Sequence, residues 1–223
     1  MPMSRTHASR DLRQKPQRAV ESREEICAIL DTGYVAHLGF FDDESGEYLV
    51  IPVGYVRDGE QLLFHGSTGS RLFRTLSQGT RVCATITLLD GLVVARTPLN
   101  SSMNYQSVMV FGESVPVTGV EKTEALIRVS NRLVPGLWDA ARELTAKEIA
   151  GTAVIALQLD DVTAKRRTGG ALDLDDAASG VWAGHVPFEI RFGTPVPNVE
   201  CVGQAIPDYV KDLARTPLTS VTR

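Results

Sequence analysis

Cysteine is scarce in this chain. Cys27, Cys83 and Cys201 are the whole complement, an odd number, far apart and without a CxxC pair. That argues against a disulfide framework and a zinc site, and it fits a reducing cytoplasm. No apolar run approaches the ~20 residues needed to span a bilayer, and no secretory leader is visible at the N-terminus. Surplus positive charge is missing too. The 23 Lys and Arg stand against 27 Asp and Glu, a net charge of −4, so no general attraction draws the chain to nucleic acid or an anionic membrane. The four histidines make no HExxH pair. There is no GxSxG elbow, no Gly-Lys-Ser/Thr phosphate loop and no complete GxGxxG. Asp173, Asp175 and Asp176 lack EF-hand spacing. No metal site is expected.

What is present suffices for a core: 223 residues, 43% of them hydrophobic, enough for one large domain or two small ones. Residues 1–20 differ from the rest. Arg5, Arg10, Arg13, Lys15 and Arg18 face one acid, Asp11, and the stretch reads as a flexible basic arm, with a targeting peptide as the lesser alternative. Residues 21–198 read as the main domain and 199–223 as a C-terminal extension.

Along the chain, Ser22 to Glu25 predicts a capping box and a helix to about Leu30. Tyr34–Phe41, Tyr48–Arg57 and Gln61–His65 read as strands, with Pro52 marking an edge or a bulge. Asp58-Gly59 and Asp90-Gly91 are hairpin-turn dipeptides. Arg81–Leu88 alternates, with Val82, Ala84, Ile86 and Leu88 facing one way and Cys83, Thr85 and Thr87 the other. Leu92–Thr97, Gln106–Val117 and Thr152–Leu159 complete about seven strands. Capping boxes at Thr118–Glu121 and Thr145–Glu148 open two further helices. Residues 169–180 read as a mobile loop. Strands joined by short turns are antiparallel, and so many hairpins suggest a closed or half-closed barrel.

The stretch with the most chemistry runs from Phe64 to Arg71. Strand Gln61–Phe64 enters the turn His65-Gly66-Ser67-Thr68-Gly69-Ser70, and a short helix follows with Leu72, Phe73 and Leu76 on one face. Free N–H groups at a helix start, nearby hydroxyls and Arg71 suit an anion. The alternative is an N-cap and a tight turn. His65 at a strand end either caps backbone groups or serves a ligand. His37 reads as a core or interface histidine, and the Lys165-Arg166-Arg167 run as a solvated strand end.

Several segments in order, Gly33–Gly39, Ile51-Pro52, Leu63–Arg71, Asp90–Arg96, Ser102–Gly112, Lys165–Gly169 and Val181–Gly184, resemble the pyridoxamine 5'-phosphate oxidase-like proteins. More narrowly they are similar to a flavin-nucleotide-binding branch related to nitroimidazole-resistance proteins. The resemblance implies a mainly β (α+β) antiparallel split barrel, a homodimer, and FMN at the subunit interface. By position it implies phosphate contacts from Ser67, Ser70 and Arg71 with Gly66 beside them, and His65 near the flavin. It places Ser107 and Met109 on the strand along the flavin, and Lys165, Arg167 and Trp182 approaching it, from the partner. Gln106 departs from the family, which often has arginine there. The function implied is an FMN-dependent oxidoreductase acting on a small molecule, with His65 as the best catalytic candidate. The alternative is a non-catalytic carrier or sensor of flavin or haem. Haem and deazaflavin are bound by related barrels.

Overall fold

Alternation along single strands decides what lies inside. In the computed structural model, which describes residues 15–215, strand β4 (Arg81–Val94) buries Val82, Ala84 and Ile86 and turns Cys83, Thr85 and Thr87 outward. The other strands are β1 (Val35–Asp42), β2 (Glu47–Asp58), β3 (Gln61–Ser67), β5 (Ser102–Glu113), β6 (Val115–Val117), β7 (Thr152–Gln158), β8 (Asp161–Arg167) and β9 (Gly184–Pro187). Every pairing is antiparallel, in the order β6-β7-β3-β2-β1-β4-β5-β8, and β9 pairs with β4.

β2 is the hinge of this curled sheet. Its residues 47–54 pair with β1 and its residues 55–58 pair with β3. Pro52 sits in the half that has β1 alone, so its missing N–H costs no second ladder bond. Past Gly54 the strand turns to serve the other half of a split barrel. The main core fills the inside, with Leu38, Leu62, Phe64, Ile86, Val108 and Leu157 among its members. β3 and β7 are covered on both faces. Leu62, Phe64 and Ile155 go to the main core, while Leu63, Val154 and Ala156 meet Ala125, Leu126 and Val129 of helix α3 (Gly119–Leu133) in a second cluster. Two-sided burial explains why these strands read as unbroken apolar runs. Each buried large side chain contributes roughly 1.5–3 kcal/mol.

The remaining helices are α1 (Arg23–Thr32), α2 (Arg71–Leu76), α4 (Leu137–Ala140), α5 (Ala146–Gly151) and α6 (Asp208–Arg215). No helix among the described residues is long and apolar enough to cross a membrane. The Thr145 capping box forms as expected. Ser22 caps α1, but Glu25 does not reach back to it. Its carboxylate takes Arg166 at 2.9 Å instead, a stronger partner than a backbone N–H. Thr118 makes no side-chain cap at all, because the positive φ of Gly119 (65°) sets the entry to α3.

The largest departure is at Asp90-Gly91. These residues form no turn. β4 runs through them as a bulge between Leu89 and Gly91, and the chain reverses only beyond Val94. Glycine serves another need there: a Cβ on Gly91 would stand 2.5 Å from the Val186 carbonyl oxygen of β9. β8 and β9 add two strands that periodicity did not mark. Segment 169–180 holds a 3₁₀ turn, Leu174–Ser179, and is anchored by buried Asp173, which receives N–H bonds from Arg96 and Thr97 and pairs with Arg96 at 3.1 Å. Of the basic arm, residues 1–14 lie outside the described residues. Pro16–Arg18 makes a 3₁₀ turn, Ala19 bridges Lys165, and Val20 is buried in the main core. In the C-terminal extension α6 brings Tyr209 against Gly136.

Candidate functional site

The turn that joins β3 to α2 is satisfied from within. Ser70 caps the helix by accepting from Phe73 N at 3.2 Å. Ser67 Oγ accepts from Gly69 N at 3.2 Å, and Thr68 donates to the Gly151 carbonyl through both its N–H and its hydroxyl. Gly66 is glycine because Phe73 lies over it, with a ring carbon 2.2 Å from where a Cβ would be. Arg71 is turned to Asp42, which it grips through Nε and a terminal nitrogen. Ser67 and Ser70 act here as acceptors, which leaves their hydroxyl protons free to donate, and Arg71 is half-exposed with N–H groups beyond those on Asp42. The cap and the tight turn are both formed at this junction.

Asp42 is the residue here that the sequence did not single out. It is fully buried and also accepts from Ser45 N and Oγ, both at 2.8 Å, and from Thr75 at 3.3 Å. The Arg71 guanidinium, then the Ser45 hydroxyl, hold its carboxyl well below the usual range. A depressed folded value contributes stability that is complete above the unfolded value of about 3.9 and is lost as pH falls through the folded one. Asp42→Asn is therefore expected to melt earlier than the parent at neutral pH, with the gap closing on acidification. Parallel melting curves at every pH would remove Asp42 from this role.

A second group of expected residues assembles on the outer face of the sheet. Ser107 of β5 lies opposite Thr87 on one side and Lys165 of β8 on the other. Met109 lies between Thr85 and Thr163, one row along. Arg167 follows Lys165 on the same strand but is buried, donating to Asn104 Oδ1 and to the Gly170 carbonyl at 3.2 Å. His37 stands exposed on this face, opposite Thr85, and is no core histidine. Gln106 donates to Asp90 at 3.4 Å. Trp182 is 64% exposed in the segment before β9 and covers Gly184. The structure thus brings Ser107, Met109 and Lys165 together and leaves the 64–71 turn on another strand of the barrel.

His65 belongs to neither group. It follows Leu63 on the face of β3 that looks toward α3, and it opens on a cavity of about 340 Å³. The walls are Leu126, Val129, Leu133, Leu137, Trp138 and Leu144, from α3, α4 and the segment after them. At the rim Glu148 is held by Arg142 at 2.6 Å and by Thr145. Desolvation by the walls around it pushes the His65 pKa below the ordinary imidazole value, although the residue as a whole is exposed. Among the described residues it has no hydrogen-bond partner. The ring stands exposed at the mouth of this cavity, with its nitrogens available to a ligand. The sequence showed the α3 stripe of Leu126, Val129 and Leu133, but gave no sign that α4 and Trp138 stand across from it.

A family model described as Pyridoxamine 5'-phosphate oxidase matches residues 22–166. No curated protein matches the chain. Among solved structures, the FAD and Heme binding protein from Mycobacterium smegmatis is 33% identical, with a TM-score of 0.86 over 91% of this chain and 100% of its own. The flavocytochrome Anf3 from Azotobacter vinelandii is likewise 33% identical, with a TM-score of 0.85 over 92% of this chain and 97% of its own. A protein described with 5-nitroimidazole antibiotic resistance, from Bacteroides thetaiotaomicron, shares the fold at 20% identity, with a TM-score of 0.56 over 66% of this chain and 86% of its own. The strand order, the matched span and these likenesses agree, and the chain belongs to the pyridoxamine 5'-phosphate oxidase family of split barrels.

Proposed function

We propose that this protein is a flavin- and haem-carrying oxidoreductase that moves electrons between a small molecule and its two cofactors. The observation that carries the haem half is His65, neutral and unpartnered, facing an apolar cavity of about 340 Å³. That volume lies in the range of cofactor pockets, and a neutral imidazole is a common haem ligand. Trp138 and the leucines offer flat apolar walls. The relatives that match nearly the whole chain, at 33% identity, are a FAD and Heme binding protein and a flavocytochrome.

The flavin half rests on the family and those same relatives. The motifs suggested FMN. The Mycobacterium protein's own flavin is FAD, and either nucleotide fits the reading. Thr87, Ser107 and Lys165 would seat the ring system on the outer face, with Met109 beside it. When bound, the flavin supplies two-electron chemistry and the haem iron one-electron chemistry, while the protein orients them and excludes water. The outer face also exposes Val35, Phe41, Val50, Leu89 and Met109, which supports a homodimer that covers them. The three cysteines are unpaired, as a reducing cytoplasm would keep them.

The test is spectroscopic. Protein titrated with haemin is expected to give a sharp Soret band saturating at one equivalent per chain, and FMN or FAD fluorescence is expected to be quenched on binding. A haemin titration that never saturates removes the haem half, and unquenched flavin removes the flavin half.

A further inference from the structure

Three cations converge where the N-terminal segment crosses the end of β8. Lys15 and Arg18 come from the N-terminal turn, Arg167 from the last position of β8, and Asn100, Ser101 and Ser102 from the segment that leads into β5. Together they line a concave site of about 170 Å³. None of the described lining residues is acidic. The acid next to it in the chain, Asp173, is already held by the Arg96 side chain and two backbone N–H groups. Among the described residues no carboxylate pairs with Lys15, Arg18 or Arg167.

Arg167 makes the concentration of charge significant. Only 6% of it is exposed, and its hydrogen bonds go to neutral acceptors, Asn104 Oδ1 and the Gly170 carbonyl. A buried cation without a counter-charge is unfavourable, and a second guanidinium, Arg18, adds repulsion, so that burial and Arg18 together pull the Arg167 pKa down. An anion would relieve both. Beside the cations stand two apolar side chains, Leu99 at 98% and Leu172 at 84% exposed. Asn100, Ser101 and Ser102 add short polar groups suited to phosphate oxygens or a ribose. Three cations, hydroxyls and two exposed leucines match a molecule with a multiply charged head and a flat apolar end.

We propose that this site binds the diphosphate of an adenine nucleotide, with Lys15, Arg18 and Arg167 around the phosphates and Leu99 and Leu172 against the base. The site is separate from the His65 cavity and stands without the haem reading. The same chemistry has two sources: the diphosphate and adenosine of FAD, or a free nucleotide such as ADP.

Calorimetric titration of ADP, inorganic diphosphate and adenosine into the full chain, and into Arg18→Ala and Lys15→Ala, tests this. ADP and diphosphate are expected to bind and adenosine not. Each substitution is expected to weaken ADP roughly 10- to 100-fold, the worth of one charge-assisted contact, with the ligand-free melting temperature unchanged. If the source is FAD, Arg18→Ala weakens FAD and leaves FMN unaffected. If the source is a free nucleotide, flavin-loaded protein still binds ADP and Arg18→Ala loses it. Flavin that fails to bind while ADP still does would overturn the flavin reading and leave this one standing. No binding of ADP or diphosphate, with FAD affinity indifferent to Arg18→Ala, overturns it. Should Arg18→Ala melt early, Lys15→Ala decides, since Lys15 is exposed.

Discussion

His65→Ala is expected to yield a folded protein that no longer takes up haem while its flavin binding is unchanged. Replacing a residue that only orients a metal ligand costs 10- to 100-fold in affinity, so losing the ligand itself should cost about 100-fold or more. The fold should survive because His65 opens onto the cavity rather than bonding to it, and its neighbours Leu63 and Phe64 remain buried. The pH dependence follows from the desolvation of the ring by the cavity walls. Iron takes the neutral imidazole, and the His65 pKa is lowered. Haem should therefore stay bound as pH falls past the ordinary value of about 6.5 and leave only as pH passes the lowered one. His65→Gly separates ligation from packing, since free imidazole can enter the gap and restore the Soret band. A variant without His65 that keeps both the band and the affinity would place the haem elsewhere or dismiss it.

Wherever one strand's own pattern carried the information, the sequence was a reliable guide. The alternation of Val82 to Leu88 and the stripe Leu126, Val129, Leu133 stand in the fold as read. So does the hairpin from β2 to β3, with its loop one residue later than the Asp58-Gly59 signal. Failures came where a local signal met a distant partner. Asp90-Gly91 has the chemistry of a turn, yet β9 passes so close that the glycine is needed inside a strand. Arg71 pairs with a buried aspartate 29 residues earlier, a partner that the local motif did not show. Ser67 and Ser70 have the right chemistry for an anion and equally the right chemistry for a turn and a cap, and local sequence does not choose between these. The His65 cavity was unreadable because its walls arrive from α3 and α4 long after the histidine. Only the arrangement of β3 against those helices converts a strand-end histidine into a candidate ligand.

Val50→Glu is expected to turn a dimer into a monomer and to weaken flavin binding with it. Val50 is 68% exposed and lies over Gly39, in a row that continues through Cys83 to Phe111 across the outer face. The same face exposes Tyr48, Phe41, Val35 and Met109. In a twofold dimer one patch meets its own copy, so a single substitution introduces two charges into one interface. Opposed like charges in such a place cost several kcal/mol, and each 1.4 kcal/mol is tenfold in the dissociation constant. The dimer should weaken by roughly 100-fold or more. The monomer should remain folded, because an exposed substitution away from packed features usually changes stability by no more than about 0.5 kcal/mol. Flavin seated against Ser107 and Lys165 would then lose whatever the second subunit contributes, and its affinity should fall together with the dimer as the protein is diluted. Sedimentation and flavin fluorescence, measured on one dilution series, would show the two losses at the same concentration. A wild-type chain that sediments as a monomer, or a Val50→Glu dimer that holds flavin as tightly as its parent, would show that this face does not build the flavin site.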